Sequence, residues 1–188
     1  MAAHPTTPPT CAAGCWCTPC SPPNPHNRQS WIADLKRDTE ITLVCDADRL
    51  LPEIDPFGRQ VLIGCGAFIE PAVIAAAERG HRVSVDLFPE GAPNRRELPG
   101  GSTVARLRVA PDAALRRDPL FGQIRRRHTH KGPYDSARAV PSPLWRGLEA
   151  SATERGLMAG SIDAPAPMAT LRRITRDSFE IEMLAPRT

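Results

Sequence analysis

The side chains best suited to hold a ligand lie between residues 125 and 131, where Arg125, Arg126, Arg127, His128, Thr129, His130 and Lys131 follow one another. Arg127 offers a planar fork of donors, Thr129 a hydroxyl and Lys131 a mobile ammonium. They recur at every second position, so an extended backbone would turn all three toward one dianion, such as a phosphate monoester. The competing reading is a solvated basic helix end. The pattern over 115–127 predicts a helix, and arginines in a last turn favour its C-terminal dipole without binding anything. Lys131 stands out because Lys36 is the only other lysine among 24 basic residues. His128 and His130 form a His-x-His pair, but the surrounding cations repel a divalent metal, so no metal site is expected there.

A second set of groups lies far upstream, where Asn27 and Gln29 precede Trp31. Their amides both donate and accept, which suits the imide-like edge of a heterocycle, and Trp31 is a large apolar anchor for the strand it begins. The same residues also read as a plain polar turn leading into a hairpin.

The elements that must position these groups follow from patterning. Stretches 31–35 and 41–45 are apolar and β-branched with a polar break between them, predicting a hairpin. Asp55 and Pro56 open a helix predicted to run to residue 79, with Gly80 as its stop and Pro71 as a kink or break. Its apolar residues, among them Val61, Ile63, Cys65, Phe68, Ile69 and Ile74, go almost all the way round, so the helix is expected to be central. Strands at 82–88 and 103–109, helices at 115–127 and 144–155, a short strand at 157–162 and an amphipathic helix at 168–183 complete the pattern. No Gly-rich phosphate loop is present, which disfavours a doubly wound dinucleotide fold. The expected class is α+β, with an antiparallel or mixed sheet packed with helices.

Residues 1–25 are different material. Cys11, Cys15, Cys17 and Cys20 sit there among prolines without hydrophobic periodicity, and the segment is expected to be disordered. Cys17 and Cys20 form a CxxC, but zinc modules carry ligand pairs on separated turns, so zinc is the weaker reading. Cys45 and Cys65 fall in apolar stretches and are expected to be buried and reduced. The 24 basic and 21 acidic residues leave a net charge of +3, which argues against a dedicated nucleic-acid binder. A small nucleic-acid-binding module built on 125–131 is the alternative from a different class, with few aromatics available for base stacking. The longest apolar candidate, 61–77, contains Glu70 and Pro71, and the start lacks the regions of a secretory signal, so a cytoplasmic protein without membrane contact is expected. The apolar stretch 56–79 needs a cover, and a homodimer is the expected way to supply it.

Taken together, the two sets of groups resemble one family. Asn27, Arg28, Gln29, Ser30 and Trp31 look like the NxQPW motif of the flavin-dependent nitroreductases, with Ser30 where the motif has proline. Arg127, Thr129 and Lys131 look like that family's RxSxK/R segment, with threonine for serine. The basic segment follows the amide motif, an order that resembles the fused, double-domain branch, of which this chain would be the N-terminal half. The stretch 48–60 leading into the helix with Gly64, Cys65 and Gly66 is similar to that branch too. The resemblance implies a nitroreductase-like partial domain over 26–188 that binds FMN without a covalent link. Arg127, Thr129 and Lys131 would hold the phosphate and pyrimidine edge, and Asn27 and Gln29 would face the flavin. It also implies hydride transfer from NAD(P)H through the flavin to a nitroaromatic or quinone, with no side chain serving as acid or base. A truncated family remnant, or a protein that sequesters flavin without reductase activity, is the alternative within the same resemblance.

Overall fold

The computed structural model describes residues 22–94, 97 and 99–185. The expectations for the N-terminal cysteines lie outside the described residues, as does most of the expected disorder over 1–25. The chain divides into two compact units, residues 1–130 and 131–188.

In the first unit, β1 (Trp31–Arg37) and β2 (Glu40–Cys45) form the predicted hairpin, with Trp31 opposite Cys45 and Arg37 opposite Glu40. The helix α1 (Arg59–Glu78) follows, then β3 (His81–Leu87) and β4 (Thr103–Pro111). The sheet order is β1-β2-β4-β3 and every neighbouring pair is antiparallel. The connection from β2 through α1 to β3 is therefore a split crossover, with β4 inserted between the two strands it joins.

Alternation selects one face of this sheet for the core. Ile41, Leu43 and Cys45 of β2 and Ala105, Leu107 and Val109 of β4 pack with Val61, Cys65, Phe68 and Ile69 of α1. Trp31 joins them, its ring centroid 5.0 Å from that of Phe68. The opposite face is ionic: Glu40 lies 3.8 Å from Arg106 and 3.4 Å from Arg108, and Arg106 also reaches Glu90. By length and composition α1 could cross a membrane, but in this fold 56% of its apolar window is buried.

The start of α1 is later than Asp55 and Pro56 predict. Gly58, at φ 63°, forms the N-cap position and has no side chain to bond the first free amides. Asp55 does so instead, its Oδ2 accepting from the Val61 amide at 2.9 Å. The capping role is as expected, displaced by a turn in which the Gly58 amide donates to the Asp55 carbonyl. Pro71 neither breaks nor splits α1, which continues to Glu78. Gly80, at φ 71°, ends the helix as predicted and its amide donates to the Ala77 carbonyl.

Two predicted elements are corrected. The helix over 115–127 shrinks to a single turn, α2 (Phe121–Ile124). Asp118 precedes Pro119, which disfavours helical backbone there, and its Oδ1 accepts from the Leu120 amide in a local turn that competes with a helix. The stretch 157–162 forms no strand. Gly156, at φ 73°, turns the chain out of the preceding helix, and the following residues are exposed with no strand beside them to share a ladder. The second unit otherwise consists of α3 (Ser142–Glu154) and α4 (Pro165–Leu184). Each has proline in its first turn, where the missing amide costs nothing. None of the described residues in this unit is buried.

Candidate functional site

The amide motif lies in a turn whose backbone is unusual. A single 3₁₀ turn, Pro25–Asn27, leads into it, and His26, Asn27 and Gln29 all have left-handed backbone, at φ 49°, 54° and 51°. Such conformations cost about 1–3 kcal/mol for most side chains, less for asparagine, and persist only where surrounding contacts impose them. Those contacts are specific. The Gln29 amide donates to Asn24 Oδ1 at 2.8 Å, and Asn24 Nδ2 donates to the Pro22 carbonyl at 3.0 Å. Ser30, only 3% exposed, donates its hydroxyl to the Arg49 carbonyl at 2.7 Å. Arg28 donates to the Asp48 carbonyl at 3.2 Å, and Arg49 returns a bond to the Arg28 carbonyl at 3.2 Å. Ser30 thus fixes the turn through a bond that a proline there could not make.

Helix α1 supplies the floor. A Cβ on Gly64 would stand 3.3 Å from Asn24 Cβ and 3.4 Å from Pro25 Cδ, so the glycine lets the turn rest close on the helix. Beside it, Cys65 donates from Sγ to the Ser30 carbonyl at 3.7 Å. Cys45 and Cys65 are buried free thiols, as expected. The hydrogen bond shared with Cys45, together with burial, pushes the Cys65 thiol far up, so it stays protonated. The structure accordingly seats the turn that carries Asn27 and Gln29 close on α1, with Asn27 exposed and Gln29 half-buried. Arg28, Ser30 and Arg49 are the positioning residues that sequence reading missed. Their bonds span about twenty positions of the chain, which no local pattern reveals.

The basic segment has a different setting. After α2 the Arg127 amide donates to the Gln123 carbonyl at 2.8 Å, and the chain then continues without helix or strand through Thr129 and Lys131. Arg127, Thr129 and Lys131 are all exposed. Arg127 and Thr129 close the first unit and Lys131 opens the second. No ladder enforces the alternation that would turn the three side chains one way. The donors are present in kind, on a segment free of the packing that holds the amide turn.

One surface pair has a clear electrostatic consequence. Arg82 Nε donates to Asp112 Oδ2 at 2.7 Å, and the Ala114 amide donates to the other carboxylate oxygen at 3.0 Å. The Arg82 guanidinium first, and that amide second, hold the Asp112 carboxyl below its ordinary value of 3.8. A carboxyl depressed on folding contributes stability above its unfolded pKa, and that contribution fades as pH falls through the folded one. In an NMR titration Asp112 should therefore show a midpoint under 3.8, moving upward in Arg82→Ala; a midpoint at or above 3.8 in the unmodified protein contradicts the pairing.

What fold and site define together is an α+β protein with a hydrogen-bonded amide turn seated on its central helix and an exposed cationic segment. No protein-family model matches the chain. The chain is 30% identical over 142 residues to "Putative NAD(P)H nitroreductase Rv3131" of Mycobacterium tuberculosis, a match covering 76% of this chain and 39% of that protein. It is 39% identical over 72 residues to "Putative NAD(P)H nitroreductase acg" of the same organism, covering 37% of this chain and 21% of that protein. The matched part of this chain thus spans less than half the length of either relative.

Proposed function

We propose that the chain is the flavin-binding part of a nitroreductase-like oxidoreductase of the fused, double-domain type, taking FMN as cofactor and NAD(P)H as hydride source. The observation that carries the reading is the amide turn, where Asn27 and Gln29 have left-handed backbone, both of their backbone N–H groups donate to Asn24, and the flanking Arg28 and Ser30 are bonded to residues 48 and 49. Backbone strain imposed so thoroughly on two amides suits a ligand edge that must meet fixed donors and acceptors. The names of the two relatives support the same reading.

The donor set fits the group in kind. Arg127, Thr129 and Lys131 combine two cations with a hydroxyl, the chemistry a phosphate monoester calls for, while Asn27 and Gln29 match a pyrimidine edge that both donates and accepts. Bound FMN would supply the hydride-transfer chemistry, with a nitroaromatic or quinone as acceptor. A cation near the flavin's pyrimidine favours the anionic reduced form, so Lys131 or Arg127 would tune potential as well as affinity. A flavin-holding role without turnover is the second reading.

Absorbance after FMN addition and desalting tests the cofactor, and NAD(P)H consumption then separates the two readings. The protein should retain a flavin band, and Lys131→Ala and Asn27→Ala should each weaken binding by roughly tenfold, the loss of one charged or bidentate contact. No retained flavin in the unsubstituted protein overturns the reading. Retained flavin with no NAD(P)H consumption selects the flavin-holding role.

A further inference from the structure

Two thiols meet in the core directly beneath the amide turn. Cys45 ends β2 and Cys65 lies in the second turn of α1; both are fully buried and free. The Ser30 carbonyl ties their surroundings together. It accepts from the Asp46 amide, next to Cys45, at 3.2 Å and from Cys65 Sγ at 3.7 Å. The two sulfurs also lie within hydrogen-bond reach of each other. Other bonds fix the backbone of Cys45: its amide donates to the Ser102 carbonyl and its carbonyl accepts from the Gly101 amide, both at 2.9 Å. The pair is asymmetric. Hydrogen bonding with Cys65 holds the Cys45 thiol below its ordinary value, against the opposing effects of burial and Asp46, while the same bond and burial push Cys65 up. Nothing in the flavin reading uses either sulfur.

We propose that Cys45 and Cys65 are a redox couple, oxidised by hydrogen peroxide to a disulfide that ties the end of β2 to α1. Cys45 is the attacking sulfur and Cys65 the resolving one. In the first step the Cys45 sulfur bonds to one peroxide oxygen, the O–O bond breaks, and the other oxygen leaves with the thiol's proton as water, giving a sulfenic acid. In the second the Cys65 sulfur attacks the sulfenic sulfur, the S–O bond breaks, and hydroxide leaves with the Cys65 proton as a second water. Two thiols have then given up two protons and two electrons, and one peroxide has become two waters. Peroxide suits the site because it is close to water in size. Its way in is a local opening of the turn that rests on Gly64, which costs less than unfolding the core. Oxidation also removes the S–H that Cys65 gives to the Ser30 carbonyl, so the couple acts on the anchorage of the amide turn. Both thiols belong to the protein without flavin, and the couple does not depend on it.

Peroxide treatment of the folded full chain without FMN, followed by quenching with N-ethylmaleimide in denaturant and tryptic mass spectrometry, tests the couple. Trypsin cuts after Arg37, Arg49, Arg59 and Arg79, so Cys45 and Cys65 leave on separate peptides, 38–49 and 60–79, while Cys11, Cys15, Cys17 and Cys20 leave on a third. The expected product is 38–49 joined to 60–79, two hydrogens lighter than the free peptides together and separated by dithiothreitol. The bond closes a loop of about 20 residues, so the cross-linked protein should melt several degrees above the reduced one. In Cys65→Ser, whose hydroxyl can still donate to Cys45, dimedone should label Cys45 after peroxide; in Cys45→Ser it should leave Cys65 unlabelled. Cys45 and Cys65 left unjoined, either of them joined only to the N-terminal peptide, a cross-link that lowers the melting temperature, or dimedone labelling Cys65 in place of Cys45 each overturns the proposal.

Discussion

Leu107→Ala is expected to lower the unfolding free energy by roughly 2–5 kcal/mol, the usual cost of emptying a well-packed leucine site. Leu107 is 1% exposed. It sits on β4, the strand between β2 and β3, opposite Ile41 on one side and Val85 on the other. The cavity would therefore open beneath α1, where rigid strands on both sides limit collapse. A domain of this kind has about 5–15 kcal/mol in total, so the loss is a large fraction of it. Urea unfolding followed by tryptophan fluorescence in a background with Trp16 and Trp145 replaced by phenylalanine measures the effect, since the remaining Trp31 ring has its centroid 5.0 Å from that of Phe68 in the same core. Leu148→Ala on α3 is the control: at 63% exposure it should change stability by no more than about 0.5 kcal/mol. Equal losses at the two positions would show that the sheet–helix layer is not the core.

Much of that layer was legible in the sequence, and the reasons are physical. The hairpin announces itself because the burial of β2 alternates strictly at Ile41, Leu43 and Cys45, so a period of two survives in the residue types. Helix α1 was legible because it is apolar enough to be central, and Gly80 marks its end. Strand order was not, since placing β4 between β2 and β3 depends on which edges meet after α1 crosses the sheet. The over-long helix at 115–127 came from weighing its residue types above the Asp118–Pro119 pair that ends helical backbone. The amide turn is the instructive case. Asn27 tolerates left-handed backbone by its own chemistry, but nothing in the residue types at His26 or Gln29 foretells it. Their conformation is set by Asn24, five residues from Gln29, and by the exchange between Arg28, Ser30 and the segment 48–49, which joins residues about twenty positions apart. The residues proposed for the flavin were readable by type; what holds them was not.

Gly58→Ala should be nearly as costly as the core truncation, at roughly 2–4 kcal/mol, and for two separable reasons. The backbone at Gly58 is left-handed, φ 63°, where any Cβ crowds its own chain. That term alone is worth about 1–2 kcal/mol. The second reason is contact: a Cβ there would overlap Pro99 Cδ and Cγ, and the Pro99 side chain is fully buried. Pro99 has no rotamer to escape into, so the strain passes to the turn at 99–102, whose Gly101 amide bonds the Cys45 carbonyl at 2.9 Å. It reaches α1 as well, because Asp55 caps Val61 across the same turn. Substituting asparagine separates the two terms: Gly58→Asn relieves much of the backbone cost but keeps the overlap. Pairing Gly58→Ala with Pro99→Ala does the reverse, removing the overlap and keeping the backbone cost. Chemical unfolding of these three variants, with Pro99→Ala alone as reference, should give both Gly58→Asn and the double variant smaller losses, relative to their own backgrounds, than Gly58→Ala. If Pro99→Ala brings no relief, the approach of Pro99 to the start of α1 is not what demands glycine, and backbone conformation alone carries the requirement.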